Sequence, residues 1–413
     1  MELFNWAGNQ TFHPTEYVLP RSVAELQDTV RAASLVRVLG SRHSFNEIAD
    51  TSGVMVSLAD LGLDIELDRA ASTVTVPAGT MYGQLGKYLQ TQGYALHNLA
   101  SLPHISVGGA VATGTHGSGS SNGNLAAAVV GLEMVMHDGS LLTMDANDER
   151  FAGAVVGLGS LGVVTVLKLR VEPTFQIWQT VYEGLPFDVV LNCFDDVMDA
   201  AYSVSLFTNW RGDTVQQAWL KSRSDTGRSE FFGAMAAEVD VHPVGGDPLS
   251  CTKQCGTGGS WLDRLPHFRL DHTPSHGAEI QSEYLMPRQH FAAAIEAMRS
   301  IGTVIAPLLM VCEIRTVATD DLWLSSSYQQ DTVAFHFTWK PNWPELVEVL
   351  PLVEAALDQF NPRPHWGKTF TTPPARLRSL HPRLDDFHAL ADDLDPAGKF
   401  RNPFITKTVF GER

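Results

Sequence analysis

SLPHISVGGAVATGTHGSGSSNGN, Ser101 to Asn124, carries six glycines, Gly108, Gly109, Gly114, Gly117, Gly119 and Gly123, with Ser106, Thr113, Thr115 and Ser118 between them. Glycine frees a backbone to bring its N–H groups close to an anion, and small hydroxyl side chains add donors without filling the space. The alternative for this composition is a mobile, solvent-exposed Gly/Ser loop. The apolar residues Ile105, Val107, Ala110, Val111 and Ala112 are closely interleaved with the glycines and argue for a packed loop whose natural guest is a polyphosphate or dinucleotide bridge. No GxxxxGKS or GxxxxGKT is present, and the strand-to-helix GxGxxG of a doubly wound nicotinamide domain is absent, so the ligand calls for a different architecture.

Around this loop, from Pro20 to Pro173, short β-type runs alternate with turns and a few helical pieces. SVAELQDTVRAA (Ser22 to Ala33) has helical spacing after a possible Ser22 cap, and LVRVLG (Leu35 to Gly40) reads as a strand. In STVTVPAG, Val74 and Val76 alternate with threonines, whereas Leu85, Tyr88 and Leu89 repeat at helical spacing. AAVVGLEMVMHDGSLLTM reads as a hairpin turning at Asp138-Gly139, and VVTVLKLRVEP (Val163 to Pro173) as a closing strand. The pattern predicts an α+β unit built from short pieces.

After Pro173 tryptophans and longer strands appear. Helices are expected over Phe187 to Ala201 and Arg288 to Ile301, and strands over LLMVCEIRTV (Leu308 to Val317) and TVAFHFTWK (Thr332 to Lys340). Alternate side chains of a strand share a face, so Glu313 and Arg315 point together, and Ala334, His336 and Thr338 lie opposite Val333, Phe335 and Phe337. A pair of sheets, or one large sheet with helices behind it, suits this second unit. The Gly/Pro/Ser-rich segment from Arg223 to Gly259 reads as a long surface excursion. The final DPAGKFRNPFITKTVF looks structured enough to fold back onto a ligand or another domain.

At 413 residues, with a hydrophobic fraction of 44%, 9 Trp and 20 Phe, the chain has core material for two or three domains. Its net charge of -17, uninterrupted by any Lys/Arg-rich run, disfavours nucleic acid and anionic membrane surfaces and leaves neutral small molecules as partners. The N-terminus lacks a basic region followed by an apolar core, and no window approaches the roughly 20 apolar residues of a membrane span, so a soluble, cytoplasmic monomer is expected. Four scattered cysteines, Cys193, Cys251, Cys255 and Cys312, do not make a disulfide scaffold. Cys251 and Cys255 with His267, His272 and His276 offer a zinc reading, which the CxxxC spacing, one longer than the usual CxxC, weakens; no metal is expected.

One further segment, GSRHSFN (Gly40 to Asn46), sets His43 among small polar residues where an apolar run turns. Together with the Ser101 to Gly119 loop, GLGSLGVVT (Gly157 to Thr165) and FRNPF near the C-terminus, it makes the chain resemble the vanillyl-alcohol-oxidase type of FAD-dependent enzymes. Within that superfamily it is most similar to the bacterial alditol oxidases, with sugar-1,4-lactone oxidases as near relatives. The resemblance covers most of the chain. It implies an FAD-binding domain over 1–175, an α+β substrate cap over 176–375 and a C-terminal segment, 376–413, returning to the first domain. It places the cofactor against Gly40, Ser41, Arg42, His43, Ser44, Phe45, Ser101, Ser106, Gly109, Thr113, Gly114, Thr115, His116, Val163 and His365. The FAD is expected to be bonded covalently through His43; without the resemblance His43 reads as a partly buried turn histidine hydrogen-bonded to backbone. Arg42 stands where relatives often have glycine or another small residue.

The resemblance implies oxidation of the terminal C1 hydroxyl of linear polyols such as xylitol and sorbitol to the aldose, with hydride transfer to flavin N5 and reduction of O2 to H2O2. The substrate is then held by Ser101, Glu313, Arg315, Thr338 and Lys368, of which Glu313, Arg315 and Lys368 are the catalytic candidates. From the residues alone, Glu313 and Arg315 are also an ordinary ion pair on a sheet face, although their place in an apolar run argues that charge is buried there for a purpose. Small Ala100, just before Ser101, leaves a path for oxygen or merely packs. An aldonolactone oxidase or dehydrogenase of the L-gulono-1,4-lactone type is the alternative on the same fold.

Overall fold

The computed structural model describes residues 2–272 and 278–411. Near the N-terminus, strands Glu16–Val18, Val36–Val38 and Val54–Val56 form a parallel trio with Val54–Val56 in the middle. Parallel strands need a crossover, and the Val23–Ala32 helix supplies it between the two outer strands. Ser22 caps that helix by accepting from the Glu25 N–H at 3.2 Å, and Leu26 and Val30 are buried with Val36, Val56 and Phe400. A five-stranded antiparallel sheet follows, in the order Leu141–Asp145, Val129–Val135, Val163–Arg170, Thr73–Pro77, Glu66–Asp68. Its hairpin turns at Asp138-Gly139, with Gly139 at φ +82°.

The Gly-rich stretch begins as a short helix, Val107–Ala112, pressed onto the turn after Thr73–Pro77: Val107 N–H donates to Thr80 O and Gly108 N–H to Ala78 O, both at 2.8 Å. A Cβ on Gly108 would stand 2.8 Å from Ala78 Cβ, so only glycine permits this approach. Gly114 at φ +65° then turns the chain out of the helix.

From Gln176 onward a single ten-stranded sheet forms, the second of the two layouts the sequence allows. Its long strands run in the order Gln176–Pro186, Thr214–Ser222, Ser203–Thr208, Leu309–Val317, Thr332–Trp339, Ile280–Pro287, with antiparallel neighbours throughout. On one face Cys312, Ile314, Phe335 and Phe337 are buried with Ile295 and Met298 of helix Phe291–Ile305 and Leu346 and Leu350 of helix Trp343–Leu357. Glu313, Arg315, His336 and Thr338 therefore occupy the other face, where the register sets Glu313 beside His336 and His336 beside Glu283.

Two segments differ from their sequence patterns. The single helix expected over Phe187 to Ala201 is two, Phe187–Asn192 and Phe194–Met198, broken at Cys193 with φ -132° and ψ 34°. Asn192 Nδ2 donates back to Asp188 O at 2.7 Å beside the break, the local competition that asparagine offers a helix, and each piece still buries its own apolar residues. The Arg223 to Gly259 excursion is only partly at the surface. Ala234–Ala236 and Thr257–Ser260 both pair with Gln176–Pro186, and Phe231 and Ala234 enter the core, which leaves Met235, Val239 and Leu249 exposed.

The C-terminal stretch packs on the N-terminal part of the molecule. Lys399 Nζ donates to Val30 O and His137 O, both at 2.7 Å, and Asn402 Nδ2 to Glu47 O at 2.9 Å and Asp50 O at 2.8 Å. Buried Arg37 donates to Phe400 O at 2.7 Å and Gly159 O at 2.8 Å, joining three distant segments through backbone carbonyls.

Candidate active site

GSRHSFN and the Gly-rich stretch meet in space. Ser106 N–H donates to Ser41 Oγ at 3.1 Å and Ser41 N–H to Ser106 Oγ at 3.4 Å, while a Cβ on Gly40 would stand 2.6 Å from Ser106 Oγ. Beside this stitch the His43 ring stacks on Trp6, with centroids 5.3 Å apart and planes 22° apart. His43 Nδ1 is buried and has no hydrogen-bond partner among the described residues. Burial pulls the His43 pKa down to about 4, with the nearby positive groups Lys368 and Arg42 adding to the effect, so the imidazole is neutral at physiological pH. Arg42 takes φ +63°, is exposed, and its carbonyl accepts from Trp6 N–H at 2.7 Å. Its long side chain thus finds solvent, and its left-handed backbone is the conformation that glycine adopts without cost.

A cavity of about 410 Å³ opens between the two parts of the chain, within the range of small-molecule and cofactor sites. One wall is Gly40, Ser41, Arg42, His43, Ser44, Phe45, Ser106, Gly109, Thr113, Thr115 and His116; Ser101, Glu313, Arg315, Thr338, His365 and Lys368 complete the other. Two expected cofactor contacts, Val163 and Gly114, do not line the cavity. Val163 is buried with Leu26, Val36 and Phe400 on the far side of its strand, and its neighbours Gly162 and Val164 line the cavity in its place. Gly114 serves the turn behind Thr113 and Thr115. Wall residues without side chains, hydroxyl groups at Ser41, Ser106 and Thr113, and the orphaned His43 Nδ1 fit a flavin dinucleotide.

The sheet face over the cavity is a linked set of charges. Arg315 Nη2 donates to Glu283 Oε1 at 2.8 Å and to His336 Nδ1 at 2.9 Å, and Arg315 Nε lies 3.6 Å from Glu313 Oε1. The guanidinium has no acceptor, so His336 carries its proton on Nε2. His267 Nε2 stands 2.7 Å from Glu313 Oε1. His116 Nε2 is 3.1 Å from Glu283 Oε1 without the alignment of a hydrogen bond. Burial alone would raise both carboxyl pKa values, yet Arg315 and His267 hold Glu313, and His116 and Arg315 hold Glu283, well below the ordinary range. Lys368 Nζ donates to Gln281 Oε1 and sits 5.0 Å from the centre of the Phe45 ring. Desolvation brings its pKa down to about 8, with Arg315 opposing and Glu283 supporting the charge.

Glu283, Gln281 and His267 belong to this site and are missing from the sequence-derived set. Gln281 and Glu283 alternate within IQSEYLMP, the same signal of charge inside an apolar strand that exposed Glu313 and Arg315. His267 sits outside any strand and carries no such pattern. Its ring faces Glu313 rather than Cys251 or Cys255, and His276 lies outside the described residues. Among the described residues no group of three or more His, Cys, Asp or Glu is arranged to hold a metal ion.

Comparison with known proteins adds to this geometry. The FAD binding domain family matches residues 14–145, and the D-arabinono-1,4-lactone oxidase family matches residues 277–408. The chain is 48% identical to alditol oxidase of Streptomyces sp. over 411 residues, covering 98% of this chain and 99% of that protein. It is 30% identical to L-gulono-1,4-lactone dehydrogenase of Mycobacterium tuberculosis, with 98% of each chain covered. Cholesterol oxidase from B. sterolicum shares the fold at a TM-score of 0.79 and 14% identity, over 99% of this chain and 96% of that one.

Proposed function

The chain belongs to the alditol oxidase family of FAD-binding oxidoreductases, and from that premise we propose that it oxidises the terminal hydroxyl of a linear polyol such as xylitol or sorbitol to the aldose. The carrying observation is the set of hydrogen-bonding side chains that line the cavity, Glu313, Arg315 and Thr338 from one sheet face with Lys368 and Ser101 from loops beside it. A chain of hydroxyls offers a donor and an acceptor at every carbon, and this face answers with both. Ionised Glu313 is acceptor-only and so receives a hydroxyl donor. Bound FAD supplies the hydride acceptor at N5 and passes the electrons to oxygen, with hydrogen peroxide as the product.

In this reading residues 1–175 and 376–413 hold the cofactor and 176–375 cap it. His43 is the covalent tether, a role supported by its neutral ring, its orphaned Nδ1 and the Trp6 stack that fixes the ring plane. Arg315 donates to the reacting oxygen and Glu313, Ser101 and Thr338 hold the remaining hydroxyls. Lys368 takes the hydroxyl proton: its pKa of about 8 lies near working pH, whereas burial lowers His336 to about 3 and Arg315 occupies its Nδ1. Ala100 lines the cavity next to Ser101, and its small side chain supports an oxygen path to the ring.

Side-by-side initial rates with xylitol, sorbitol and L-gulono-1,4-lactone test the reading. The polyols should be turned over with the higher kcat/KM, and Glu313→Ala should lower that value ~10- to 100-fold, the loss for hydrogen bonds to a charged group. A clear preference for the lactone would overturn it.

A further inference from the structure

Beside Glu313 lies a buried pair, His267 at the cavity wall and Lys221 beyond it, that the reaction as described leaves unused. Lys221 is 1% exposed, and its Nζ lies 2.5 Å from Leu265 O, 3.0 Å from Pro266 O and 3.0 Å from His267 Nδ1. His267 Nε2 is 2.7 Å from Glu313 Oε1. An ionised carboxylate only accepts, so His267 carries a proton on Nε2; burial lowers the His267 pKa to about 4, so the ring is neutral and its Nδ1 accepts from Lys221 Nζ, which also donates to the two carbonyls.

We propose that His267 and Lys221 are a positioning pair that holds one oxygen of the Glu313 carboxylate so that the other is presented to substrate hydroxyls. The inference rests on the polyol reading above. His267 and Arg315 both approach Oε1, and Oε2 has no hydrogen-bond partner among the described residues, although Glu313 lines the cavity. His267 is itself held on all sides. Its ring stands edge-on to Trp219 and Phe207, with centroids 5.1 and 5.5 Å away. Its N–H and that of Phe268 both donate to Ser101 O at 3.1 Å, and its carbonyl accepts from Thr252 N–H at 2.9 Å. Thr252 Oγ1 also donates to Pro266 O at 2.9 Å, so the segment around Thr252 braces the loop that carries His267. One residue thereby ties the backbone of Ser101 to the side chain of Glu313, two substrate contacts from distant parts of the chain.

A double-mutant cycle on the flavin-loaded enzyme tests this. His267→Phe keeps the aromatic packing and removes the side-chain hydrogen bonds to Glu313 and Lys221 and the longer one to Ser205. It should lower kcat/KM for xylitol ~10- to 100-fold, chiefly through KM, while His267→Gln, which retains a donor for Glu313, should recover most of the loss. In a Glu313→Ala background, His267→Phe should cost less than a further twofold, since a residue acting through Glu313 has nothing left to position. Flavin content and melting temperature are recorded for each variant, and His267→Asn replaces His267→Phe if either collapses. Losses that multiply, or a Gln variant no better than Phe, would overturn the inference and leave the polyol reading standing. An unimpaired Glu313→Ala enzyme would overturn both.

Discussion

Arg42 shows what a single backbone angle decides. A non-glycine residue in the left-handed region costs about 1–2 kcal/mol, and glycine there gives back about 0.5–1 kcal/mol of that in unfolded-state entropy. Arg42→Gly should therefore stabilise the protein by about 0.5–1 kcal/mol in chemical denaturation, since the exposed side chain makes no hydrogen bond among the described residues. A loss of stability would mean the guanidinium does more than reach solvent. His43, one residue on, is the proposed tether. After acid precipitation the yellow colour should stay with the wild-type protein and be absent from precipitated His43→Ala; colour released wholly to the supernatant of the wild type would contradict covalent attachment. Lys368 makes a prediction in pH. If it accepts the hydroxyl proton, kcat/KM for xylitol rises through about pH 8, as the ammonium facing Glu283, Arg315, Glu279 and Glu313 loses its proton, and levels off above. Lys368→Met should remove that limb along with most activity, and a limb that falls with pH would make Lys368 a polarising cation instead.

The Thr332–Trp339 strand separates stability from function by alternation. Phe337 is fully buried against the helices behind the sheet, and Phe337→Ala should cost about 3–5 kcal/mol on thermal or chemical unfolding. Thr338, one residue further, faces the cavity, and Thr338→Val should raise KM for polyols with stability changed by under about 1 kcal/mol. Equal effects of the two substitutions on stability would contradict the facing. This alternation was readable in TVAFHFTWK and LLMVCEIRTV because a strand's period is a local property. Which strands lie side by side was not: Glu283 reaches Arg315 across two ladders from 32 residues away, and no pattern within IQSEYLMP says so. The excursion after Arg223 was misread for the same reason, as its pairing with Gln176–Pro186 is nonlocal while its Gly/Pro/Ser content is local. The broken helix at Cys193 is the converse, a local competition by Asn192 that apolar spacing does not register.

At the scale of the molecule, the site exists only between its parts. The Gly40 to Phe45 segment and the Gly-rich stretch form one wall, the charged sheet face forms the other, and Lys399, Asn402 and Arg37 clamp the C-terminal stretch onto the first part. The motifs that announce a cofactor were legible because they are short and chemically distinctive; the pair beside Glu313 was not, since Lys221 and His267 come together only once the sheet and the loop after Trp261 are folded. The proposed function requires that this cavity bring a polyol carbon to an FAD ring. Mixing the oxidised enzyme with xylitol in the absence of oxygen tests that. The flavin absorbance should bleach with saturating dependence on xylitol and return promptly when air is admitted. An enzyme that stays yellow with xylitol while L-gulono-1,4-lactone bleaches it would rule out the polyol as substrate.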